Sequence, residues 1–115
     1  MSRTTASTIA LIILLGGTMA QAGPMELKLA SDVWPPFTDK AGRPRVAIEL
    51  VQEALVRAGY RGLTDIRDFE AVIQGLGMGN YDGSAALWKD AEREKFLLYS
   101  EPYLENRLVL VGRKG

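Results

Sequence analysis

Apolar and polar residues change their period several times along this chain, and each change marks an element. Ile9 to Leu15 is an unbroken apolar run. From Met25 to Ala30, Leu27 and Leu29 alternate with Glu26 and Lys28, the two-residue period of a half-buried strand, which ends at Ser31-Asp32. Trp34-Pro35-Pro36-Phe37 then interrupts regular structure, because each proline lacks an N–H and holds its predecessor extended. Asp39 to Pro44 reads as a polar turn around Gly42. From Val46 the spacing becomes helical. Ala47, Leu50, Val51, Ala54, Leu55 and Ala58 fall on one face, with Glu49, Gln52, Glu53 and Arg57 on the other. Glu53 and Arg57 form a favourable i,i+4 pair, and Gly59 supplies the stop.

A second short strand is predicted over Leu63 to Ile66. Phe69, Val72, Ile73 and Leu76 then predict a helix from about Glu70 to Met78, ended by Gly79-Asn80. Gly83-Ser84-Ala85-Ala86-Leu87 reads as a third strand of small residues, the composition expected where backbone approaches another backbone or a ligand. A short helix is predicted to open at Asp90, and Phe96 to Tyr99 and Leu104 to Val111 as further extended stretches. Strands alternating with helices predict an α/β fold, a mostly parallel sheet with helices on both faces. Ligands in such sheets bind beyond the carboxyl ends of the strands. Those ends are Asp32 to Trp34 after the first strand and Trp88 to Arg93 after the third.

Composition narrows the chemistry. With 115 residues, 47% of them hydrophobic and 24% charged, the chain suits one small domain. Arg3, the polar stretch Thr4 to Thr8, the apolar run and then Ala20-Gln21-Ala22 follow the pattern of a secretory signal. The apolar run is well short of the roughly 20 residues that span a bilayer. Residues 1–22 are therefore expected to be a signal peptide cleaved after Ala22, and 23–115 a periplasmic domain. There is no His and no Cys, which removes thiolate and imidazole metal sites, Cys-His and Ser-His nucleophilic pairs, redox dithiols and disulfides. Fourteen basic and fourteen acidic residues give zero formal charge and no electrostatic reason to bind nucleic acid. Gly75, Gly77 and Gly79 close a helix rather than open one, the wrong context for a phosphate loop. No cofactor and no metal are expected.

Three sets of residues carry what chemistry remains. Asp90 is placed to cap the helix predicted to follow it, which would turn the free amides of that helix and the fork of Arg93 toward the cleft as a carboxylate-binding corner. Trp34, Phe37 and Trp88 lie at the mouths of two strands, where aromatic rings sandwich a planar ligand or stack on a cation. Asp32, at a strand end, is suited to accept from a ligand ammonium. The same residues also suit a solvated helix end, core aromatics and an Asp that merely ends a strand, and pattern alone leaves both readings open.

In order along the chain, Ala30-Ser31-Asp32 through Pro36-Phe37, the helix carrying Glu49-Leu50, Gly79-Asn80-Tyr81-Asp82, Glu92-Arg93 and Tyr99-Ser100-Glu101-Pro102-Tyr103 resemble the extracellular solute-binding proteins, family 3, of polar amino-acid ABC importers. That resemblance implies a type II periplasmic-binding-protein fold, in which two lobes close over a small solute. It implies that Arg93 clamps a ligand carboxylate and that Trp34 packs on the ligand body. The partners it implies are a small polar, amino-acid-like solute and the membrane permease of an importer, with the binding protein a monomer and not an enzyme. The chain departs from the family pattern at Asp90, where Thr is usual, and at Arg45-Val46-Ala47-Ile48-Glu49. It is also about half the family length, so 23–115 corresponds to most of the first lobe, without the second lobe or the returning segment. Half a cleft implies weak binding by 23–115 alone. Some relatives on this fold are dehydratases or lyases and others are ligand-sensing domains of receptors. An enzyme using a pair such as Asp32 and Glu92 as acid and base, or a sensor domain, therefore stands as the alternative.

Overall fold

The computed structural model describes residues 22–115; the expected signal peptide lies outside the described residues except for Ala22. The described chain is α/β, in the order β1 (Met25–Ser31), α1 (Val46–Arg57), β2 (Tyr60–Ile66), α2 (Phe69–Gly77) and a single 3-10 turn (Arg93–Lys95). β1 and β2 pair in parallel from Met25 opposite Tyr60 to Ser31 opposite Ile66, with α1 as the crossover.

The two helices cover opposite faces of this pair. Leu29 and Leu55 meet over Gly62 of β2, so Leu29 faces α1. Its neighbour Ala30 necessarily faces the other way, and there it clusters with Val72 and Leu76 of α2. The carboxyl end of β1 is consequently buried on both faces. Tyr81, Leu87 and Leu97 pack around the α2 cluster.

Both helices stop at a glycine with positive φ, Gly59 at +85° and Gly79 at +75°. At α2 the Asn80 N–H donates to the Gly75 carbonyl at 2.8 Å and the Gly79 N–H to that of Leu76 at 3.2 Å, the paired bonds of a Schellman cap. Gly75 has a second role. A Cβ there would lie 2.6 Å from the Tyr81 ring, so its bare backbone lets the ring close over α2.

The buried face of α1 differs from the one that periodicity predicts. Ala47 and Ile48 are fully buried and Val51 and Leu55 half-buried, whereas Leu50 remains 46% exposed and Ala54 and Ala58 lie outside. The helix start explains the rotation. Its Val46 and Ala47 N–H groups donate to the Pro36 and Phe37 carbonyls, each at 2.9 Å, which fixes which side of the first turn meets the sheet.

The predicted third strand is reduced to one bridge. Gly83 pairs in parallel with Leu29, the Ala30 N–H donating to the Gly83 carbonyl at 3.0 Å. One step earlier the Asp82 side chain substitutes for main chain, Oδ2 accepting from the Lys28 N–H at 2.7 Å while the Asp82 N–H donates to the Lys28 carbonyl at 2.7 Å. Beyond Gly83 the carbonyls find side chains instead. Tyr103 Oη donates to Ala85, and the Trp88 carbonyl accepts from Tyr99 Oη at 3.1 Å. The parallel pairing ends at Gly83, and Ser84 to Leu87 form no strand. Likewise, the stretches 96–99 and 104–111 form no strand, because each lacks a paired edge among the described residues and alternation without a partner ladder does not make a sheet.

Candidate functional site

The cleft lies where the parallel pair ends. β1 stops at Ser31, so Asp32 and Trp34 follow directly at its carboxyl end. β2 stops at Ile66, and three residues later Phe69 opens α2 at the same rim. The segment after Gly83 returns across this end and brings Ala86, Leu87 and Trp88, and the 3-10 turn adds Arg93. Together with Leu108 these residues enclose an open-sided cavity of about 320 Å³.

Trp34 is held by a closed loop. Its N–H donates to the Thr38 carbonyl at 2.8 Å, and its carbonyl accepts from Phe37 and Thr38 at 2.9 and 3.0 Å. The prolines in between have no N–H to contribute, so the loop closes on its outer residues alone. The Trp34 ring tilts against Phe37 at 4.8 Å and meets the Trp88 ring edge-on at 6.1 Å and 73°. The two indoles also line a larger concavity, about 720 Å³, together with Phe37, Tyr99, Glu101 and Tyr103. Burial raises the pKa of the Tyr103 phenol above its ordinary value.

Arg93 is fixed from three directions. Its Nε stands 3.1 Å from Asp90 Oδ2, its Nη1 donates to the Trp88 carbonyl at 2.8 Å, and its guanidinium lies 5.0 Å from the centroid of the Phe69 ring. The side chain is 22% exposed, well below the 46% of its partner Asp90. Such tethering removes most of the rotamer freedom that an Arg otherwise loses on engaging a ligand.

The predicted carboxylate-binding corner needs correction. Asp90 Oδ1 does accept from the Arg93 N–H at 2.8 Å, the bond expected of a cap. What it caps is a three-residue 3-10 turn and not an α-helix, so aligned amides and a helix dipole are missing. The proximity of Asp90 also offsets the charge of Arg93.

Of the residues singled out by sequence, Asp32, Trp34, Trp88 and Arg93 line the smaller cavity, although Asp32 and Arg93 are 61 residues apart in the chain. Phe37 lies beside Trp34 and lines the larger concavity. Asp90 stands behind Arg93 without lining the smaller cavity. Glu92 is drawn to Lys95, with its two oxygens 2.8 and 2.7 Å from Nζ, and does not join Asp32. Phe69 was missed, because its place in the helical repeat assigned it to the core. Its position three residues beyond a strand end was the usable signal. No group of three or more His, Cys, Asp or Glu residues among the described residues is placed to hold a metal ion.

No protein-family model, curated protein or solved structure matches this chain.

Proposed function

We propose that residues 23–115 are one jaw of a periplasmic solute-binding protein. It takes a small polar, amino-acid-like solute at the carboxyl ends of its strands and serves the membrane permease of an ABC importer as a monomer. The observation that supports this reading is the convergence of Asp32, Trp34, Trp88 and Arg93 on one open-sided cavity of about 320 Å³. Its volume is at the small end of the range for ligand pockets, and its walls are apolar with two charged groups. The parallel β1–β2 pair, the Gly83 bridge on the far side of β1 and a helix on each face suit the lobe of a type II periplasmic binding protein. An open side suits a jaw that needs a second surface to close it, and hence weak binding by this part alone.

The enzyme reading has less support, since Glu92 is held by Lys95 away from Asp32 and no second carboxylate lines the cavity. The test is a panel of amino acids, organic acids and small peptides at millimolar concentration, followed by Trp emission and thermal shift. The chain has two Trp, and both line the cleft and the larger concavity beside it, so the emission reports a ligand bound at this face. At least one class should give a saturable change that weakens in Trp34→Ala. A flat response from every member would refute the solute-binding reading.

A further inference from the structure

We infer, on the basis that the cleft takes a small polar solute, that within that class it prefers a small organic solute of net charge +1 over a neutral or anionic one. Among the residues lining the smaller cavity, Asp32 and Arg93 are the charged ones. Their charges are not equivalent. Arg93 is already matched by Asp90 at 3.1 Å, whereas the Asp32 carboxylate has no ion-pair or hydrogen-bond partner among the described residues. Among the lining residues and the supporting Asp90 the charges sum to one negative, and Asp32 is the lining charge left without a partner; Arg67, beside the end of β2, and Arg107, on the larger concavity, stand outside this lining. A cavity of about 320 Å³ is roughly 8 Å across, within a Debye length at physiological salt, so Asp32 is felt throughout it.

The walls favour the same sign. Trp34 and Trp88 meet at 73°, which presents indole surface in a corner where an ammonium finds negative ring density while its body stays on carbon. The Phe69 face is already used by the Arg93 guanidinium, so the indoles are the aromatic surface left for a ligand. Arg93 retains a role without acting as an anion clamp. Its Nη2 has no partner among the described residues and can donate to a neutral carbonyl or hydroxyl. An entering carboxylate would gain those donors but would meet Asp32 and, behind the guanidinium, Asp90.

Three probes share a phenethyl body and differ in head-group charge, the first two being isosteric: phenethylammonium, phenethyl alcohol and hydrocinnamate, titrated at constant ionic strength and neutral pH with Trp emission as the readout. The ammonium should bind about fivefold more tightly than the alcohol, as expected for one ion pair at a partly exposed site, and hydrocinnamate should bind weakest. In Asp32→Asn the preference for the cation should collapse to near unity. In Asp90→Asn, which keeps an oxygen for the Arg93 N–H, hydrocinnamate should gain by a similar factor. Far-ultraviolet circular dichroism checks that each variant is folded. Tighter binding of hydrocinnamate than of phenethylammonium by the native protein would overturn the charge inference while leaving the solute site standing. An undiminished cation preference in folded Asp32→Asn would do the same. If no probe gives a saturable signal, the solute site and its charge preference fall together.

Discussion

Residues 25–77 and residues 83–115 are held together in different ways. In the first region, main chain satisfies main chain: β1 pairs with β2 over seven residues, and both helices run to glycine stops. Side chains there are left free to pack, and Leu29, Ala30, Ile48 and Val72 do so. In the second region, the carbonyls of Ala85 and Trp88 are met by the side chains of Tyr103, Tyr99 and Arg93, and most apolar residues from Leu98 onward remain exposed. Backbone pairing tolerates many sequences, whereas a phenol reaching a particular carbonyl does not. The first region is therefore specified by pattern and the second by individual residues. Asp32 and Phe69 come from the former, Trp88 and Arg93 from the latter, so the cleft is the seam between them. Local opening should begin on the second side, where few apolar contacts are buried.

The largest expected effect is a loss of the first region as a unit. Ile48 of α1 is fully buried, and Ile48→Ala should lower stability by about 2–5 kcal/mol through lost burial and a residual cavity. Urea unfolding followed by circular dichroism should show the midpoint falling in one transition. A midpoint unchanged within error would mean that the α1 face is not the core.

A smaller change should separate the regions. Tyr103→Phe removes one donor and should cost about 1 kcal/mol. Hydrogen exchange should quicken over 84–88 and 98–107 while β1 and β2 keep their protection. The same contact gives an alkaline signature. Burial raises the Tyr103 pKa above its ordinary 10.0, which means that the folded state favours the neutral phenol. The contribution is fully present below that ordinary value and is lost as pH rises through the raised one. Loosening of the second region at alkaline pH, followed by hydrogen exchange over 98–107, should therefore be smaller in Tyr103→Phe than in the native protein. The smallest effect belongs to the exposed Glu53–Arg57 pair at 2.8 Å, where Glu53→Gln should cost no more than about 0.5 kcal/mol and vanish in high salt.

The first region was largely legible in the sequence because its signals are local. The alternation ending at Ser31, the i,i+4 pair Glu53–Arg57 and the stops at Gly59 and Gly79 all belong to neighbours along the chain. The α1 face was misjudged at Leu50 and Ile48, because the rotation is set by the carbonyls of Pro36 and Phe37, a contact outside the helix. The failures after Gly83 have one cause. Strand formation by 84–87 or 104–111 depends on an edge to pair with, and no local property of Ala85 or Leu108 announces whether that edge is there. Parallel strands deliver their carboxyl ends to one rim, and Asp32, Trp34, Trp88 and Arg93 do meet there, although the strand expected to deliver Trp88 is a single bridge at Gly83. The Asp90–Arg93 pair is local, three residues apart, whereas the stacking of Arg93 on Phe69 joins distant segments and has no local signal.

The oxygen of Trp88 receives two bonds at once, from Arg93 Nη1 and from Tyr99 Oη. Two independent moorings on a single atom act as mutual insurance, so loss of either leaves the other in place. Damage at the two positions should accordingly compound more than additively, and a survey of lone replacements would understate how much the posture of that indole depends on both.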